Sequence, residues 1–86
     1  MLSAAQIRGA RALLGISAAE LAEISGVDLR TIQRFERAIG VPKSRSGTLN
    51  RIKETLEQAG ITFLGDPLTS PGVQLKRRTG ETRRAE

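Results

Sequence analysis

At 86 residues, 38% hydrophobic and 27% charged, the chain has room for one small globular domain. It has no Cys, which removes disulfide frames, thiolate nucleophiles and zinc fingers, and no His, which removes imidazole bases and histidine metal sites. Two aromatic residues, Phe35 and Phe63, are too few for a base-stacking platform on single-stranded nucleic acid. Fourteen Lys and Arg face nine acids, a net charge of +5 that suits either a nucleic-acid partner or plain solubility. No apolar run approaches the roughly 18–20 residues of a membrane span, and the opening MLSAAQIRGA lacks the pattern of a signal peptide. A cytoplasmic, non-enzymatic protein with no cofactor and no metal is expected.

Four helices are predicted first. Ser3-Ala4-Ala5-Gln6 and Ser17-Ala18-Ala19-Glu20 each place a Ser three residues before Gln or Glu, the form of a capping box. The first helix is predicted over Ala4–Leu14, with Ile7, Ala10 and Leu14 on one face, and Gly15 ends it. The second is predicted over Ala18–Ser25, burying Leu21, Ala22 and Ile24 or their near neighbours, and Gly26 stops it. Asp28 can cap a third helix over Leu29–Arg37, whose Ile32 and Phe35 face inward. A Gly-, Pro- and Ser-bearing loop over 39–47 leads to a fourth helix over 48–59, with Leu49, Ile52, Leu56 and Ala59 at helical spacing.

Beyond Gly60 the apolar period changes to two. Residues 61–64 and 73–76 are predicted as short strands around a turn-rich 65–72 segment. Two strands alone are marginal in water, so they must pack on the helices, pair with a second protomer, or both. Residues 76–86 carry Lys76, Arg77, Arg78, Arg83 and Arg84 against Glu81 and Glu86, with almost nothing apolar. That composition predicts disorder. The expected organisation is residues 1–60 as a helical unit, 61–76 as a strand extension able to mediate dimerisation, and 77–86 as a basic tail.

The chemistry concentrates in the second and third helices. Two helices joined through Gly26, Val27 and Asp28 cannot continue in line and should cross at roughly 90–120°. Ala22 lets the backbones approach and Val27 plugs the turn. With Ile32 and Phe35 beneath, Leu29, Arg30, Gln33 and Arg34 remain on the outward face. A DNA major groove, about 12 Å wide, admits one helix; there Arg pairs with guanine, Gln with adenine, and an aliphatic side chain meets a thymine methyl. Arg8 and Arg51 read as ordinary surface charge.

Arg11-x-x-x-Gly15-x-Ser17-x-x-Glu20-Leu21-Ala22-x-x-x-Gly26-Val27, followed by Thr31-Ile32-x-Arg34-Phe35-Glu36, resembles the lambda-repressor-like, or XRE-type, helix-turn-helix domain of phage and bacterial regulators. The resemblance spans roughly residues 3–60. It implies a mainly α bundle of four helices with the helix-turn-helix in helices two and three, here followed by a short β-hairpin. It also implies an ion pair between Arg11 and Glu36, base contacts from Leu29, Arg30, Gln33 and Arg34, and phosphate contacts from Ser17, Lys43 and Arg45. Two departures stand out: Ala18 where many relatives carry Gln, and strands over 61–76 where they carry a fifth helix. The implied function is a sequence-specific duplex-DNA-binding transcriptional regulator, a homodimeric repressor on an inverted repeat. Two alternatives remain: an antitoxin or other protein-binding module that keeps the DNA-binding domain, and a phage-type recombination accessory protein.

Overall fold

The computed structural model describes residues 1–44 and 47–76, so Arg45 and the basic tail over 77–86 lie outside the described residues. The elements in chain order are α1 (Ala4–Leu14), α2 (Ala18–Ser25), α3 (Leu29–Arg37), α4 (Thr48–Gln58), β1 (Ile61–Leu64) and β2 (Gly72–Leu75). The mainly α architecture with a terminal strand pair is the one expected.

Both capping boxes form. The Ser3 hydroxyl accepts from the Gln6 amide at 3.2 Å while the Gln6 side-chain oxygen accepts from the Ser3 N–H at 3.0 Å. Ser17 and Glu20 repeat the exchange at 3.0 and 2.8 Å. Gly15 and Gly26 end α1 and α2 in the left-handed conformation, φ 69° and 74°, where a Cβ would be strained. α4 starts after Gly47, which has no capping side chain, and Ser44 does the capping by accepting from the Leu49 amide at 3.0 Å.

Ile7, Ala10, Leu21, Val27, Ile32, Phe35, Ile52, Leu56 and Ile61 form one buried core, with Leu2 reaching into it from ahead of the first cap. Each fully buried large side chain contributes about 1.5–3 kcal/mol. Leu14, Ala22 and Leu49 are half-buried against this core, and two expected core positions are exposed. Ile24 is 58% exposed, because the inward face of α2 runs through half-buried Ala18 and Ala22 and buried Leu21 and Ser25 at i, i+4, i+3 and i+7, and Ile24 falls on the flank. Buried Ser25 turns its hydroxyl to the Val27 amide at 3.2 Å. Ala59 is exposed because α4 ends at Gln58, and Ile61 takes the core position at that end.

β1 and β2 pair antiparallel with Ile61 opposite Leu75 and Phe63 opposite Val73, so the second strand begins one residue earlier than expected. The ribbon packs on α1 and α4. Gly9 allows β2 this close to α1: a Cβ there would meet Val73 Cγ2 at 3.1 Å. Gln6 clips the ribbon in place, its side-chain amide donating to the Leu64 carbonyl at 3.3 Å and the Gly72 carbonyl at 3.2 Å. Gln6→Leu keeps the bulk but leaves both carbonyls without this donor and the buried Ser3 N–H without its acceptor, and should cost about 1–3 kcal/mol in chemical denaturation. A loss under about 0.5 kcal/mol would mean that water replaces the clip. No helix among the described residues is long and apolar enough to cross a membrane.

Candidate nucleic-acid interface

The interface begins with how α3 is held. Asp28 caps it by accepting from the Arg30 amide at 3.1 Å, and Ile32, Phe35 and Glu36 lie buried along one side. From α1, Arg11 grips the Glu36 carboxylate with Nε to Oε2 at 2.7 Å and Nη2 to Oε1 at 2.9 Å. Its remaining nitrogen, Nη1, donates to the Ile16 carbonyl at 3.0 Å. The hydrogen bonds to Glu36 raise the Arg11 pKa above its ordinary value. Arg8, one turn earlier on α1, donates to the Glu36 main-chain carbonyl. It therefore binds the end of α3 instead of being plain surface charge, and α1 secures Glu36 by both side chain and backbone.

With that side pinned inward, Arg30, Gln33 and Arg34 are exposed on the opposite side, and Leu29 beside them is 36% exposed. Arg34 rests its guanidinium 5.0 Å from the centre of the Phe35 ring, a cation–π contact that steadies it without neutralising it. Among the described residues no carboxylate pairs with Arg30, Arg34, Lys43 or Arg51. Arg37, also exposed, lies seven residues beyond Arg30 and so on the same face. That spacing was available in the sequence as a signal for Arg37.

Beside this face lies an open groove of about 640 Å³, lined among others by Asp28, Arg34, Lys43, Thr48 and Arg51. It runs between the turn before α3 and the start of α4. Lys43 is exposed there. Arg51 reaches back from α4 to within 3.5 Å of the Gly26 carbonyl, so it belongs to the groove and is more than scattered surface charge. Only the fold could reveal this, since Gly26 and Arg51 lie far apart in the chain. Ser17 is exposed at the start of α2, but its N–H is already taken by Glu20, leaving the hydroxyl proton for any outside acceptor. Arg45 lies outside the described residues. The described residues bring Leu29, Arg30, Gln33 and Arg34 together on α3 and set Lys43 beside Arg34 in the groove; Ser17 stands apart, at the start of α2.

No group of His, Cys, Asp or Glu among the described residues is arranged to hold a metal ion. The arrangement is an exposed helix face carrying hydrogen-bond donors, bordered by cations, and base edges and phosphate oxygens are the acceptors such groups suit. Residues 7–45 match a family model described as helix-turn-helix, a span running from α1 through the loop after α3. No curated protein matches the chain.

Proposed function

Because residues 7–45 place this chain in the lambda-repressor-like, or XRE-type, helix-turn-helix family of DNA-binding regulators, we propose that it is a cytoplasmic homodimeric repressor reading an inverted-repeat operator. The observation that carries the reading is the exposed α3 face, where Arg30, Gln33 and Arg34 stand above a buried Ile32 and Phe35 with no ion-pair partner among the described residues. In this reading Arg30, Gln33 and Arg34 donate to base edges in the major groove, and Leu29 meets a thymine methyl. Ser17, Lys43 and Arg45 hold phosphates on either side. Residues 1–60 do the reading and 61–76 brace the assembly.

One α3 spans only a few base pairs, so useful specificity needs two copies on half-sites about 34–36 Å apart. Selection from a randomised duplex library should therefore enrich an inverted repeat with half-site centres about 10–10.5 base pairs apart, or a multiple of that spacing. Enrichment of no motif would overturn the reading. Lys43→Ala should weaken binding to every duplex alike and reduce the salt slope by about one, measured by fluorescence anisotropy across a salt series. A change confined to one base pair would remove Lys43 from the phosphate set.

A further inference from the structure

The cations of the helices differ in what they touch. Arg8 and Arg11 are spent on Glu36 at the end of α3, and Lys53 pairs with Glu57 one turn along α4 at 3.9 Å. Arg34, Lys43 and Arg51 instead line the open groove between the turn before α3 and the start of α4. None of the three has an ion-pair partner among the described residues. Three positive side chains around one groove of about 640 Å³ repel one another, and an anion seated among them would relieve that repulsion. We propose that Arg51, which stands outside the base and phosphate contacts named so far, holds a phosphate group in this groove. On the DNA reading that group is a backbone phosphate of the bound duplex.

The placement of the guanidinium favours this role. Arg51 is exposed, and its Nη1 donates to the Gly26 carbonyl at 3.5 Å, a long bond that occupies one of five N–H groups. A Cβ on Gly26 would lie 3.8 Å from the same nitrogen, so the side chain crosses from α4 to lie against the turn. The remaining N–H groups form a planar fork, the shape that meets two oxygens of one phosphate. Thr48 brings the first turn of α4 to the same groove, and the dipole of that helix adds partial positive charge there.

Competition from the protein's own acids is slight. Asp28 is the one acid in the lining among the described residues, and its carboxylate already accepts from the Arg30 amide at 3.1 Å. Thr31 and Thr48 add hydroxyl donors to the same lining. Arg34 belongs both to the exposed α3 face and to this groove, so a duplex that admits α3 passes beside Arg51.

The proposal rests on the DNA reading only for the source of the phosphate, and the test separates the two. Duplex binding by the full chain is measured across a salt series for the wild type, Arg51→Gln and Lys53→Gln. Glutamine removes the charge and keeps a side-chain donor, and Lys53→Gln removes one charge from the same helix away from this groove. Arg51→Gln should lower the salt slope by about 0.9 with unchanged circular dichroism. From about 50 to 200 mM salt the wild type should then lose about 3.5-fold more affinity than this variant. Lys53→Gln should keep the wild-type slope. A residue that only braced the turn through Gly26 would change affinity at constant slope, and that result overturns the proposal. So does an equal loss of slope in Lys53→Gln. The free proteins are also titrated with inorganic phosphate against sodium chloride of equal ionic strength, followed by the amide NMR signals of Gly26, Val27 and Thr31. If the wild type binds no duplex, the DNA reading falls. The phosphate site then stands if inorganic phosphate shifts these signals in the wild type and not in Arg51→Gln, and falls with it if no shift is seen.

Discussion

Arg11→Met is expected to destabilise the fold by about 3 kcal/mol, a large share of the 5–15 kcal/mol that holds a domain together. The asymmetry of the pair sets the size. Glu36 is 9% exposed and Arg11 24% exposed, so removing the arginine strands the more deeply buried charge. Methionine replaces the aliphatic stem but none of the three hydrogen bonds to Glu36 and Ile16. For a domain this small the melting temperature should fall by more than 10 °C, at roughly 4–8 °C per kcal/mol. The double variant Arg11→Met with Glu36→Leu should recover much of the loss, since an apolar pair of similar volume carries no desolvation cost. Urea denaturation of both variants decides it: a single-variant cost under about 1 kcal/mol would mean that water screens the pair.

Arg30→Ala should cost about 1–3 kcal/mol of binding at the preferred duplex, roughly five- to 150-fold, and relax the preference at one base pair. Arg30 is exposed, stands near the start of α3 and has no ion-pair partner among the described residues. Removing it should leave the fold untouched, because only its backbone N–H is used locally, by Asp28, and alanine retains that group. Binding measured against a panel of single-base-pair substitutions distinguishes this from a phosphate contact. Uniform weakening across the panel would move Arg30 from the base-reading to the backbone-gripping group.

The helix boundaries were legible because their signals are local. Ser3 with Gln6 and Ser17 with Glu20 need only four residues to state a cap, and Gly15 and Gly26 need only their own backbone freedom to end a helix. The pairing of Arg11 with Glu36 was legible only through the family resemblance, since 25 residues separate them and spacing alone is silent. Ile24 misled because an apolar residue in a short helix can be counted on either flank of the buried stripe, and serine took the inward place. The partners of Arg8 and Arg51 are main-chain carbonyls, which carry no side-chain signature. The clip from Gln6 to the ribbon was hidden for the same reason, as its acceptors are the carbonyls of Leu64 and Gly72.

The double hold on Glu36 and the Gln6 clip have a joint effect. Both arise from α1, one near its first turn and the other from its middle, so α1 is a stiff gauge bar between the ribbon and α3. No loose linker intervenes. The separation between two α3 helices in an assembly would then be calibrated by this bar, and tolerance for altered half-site spacing should be correspondingly narrow.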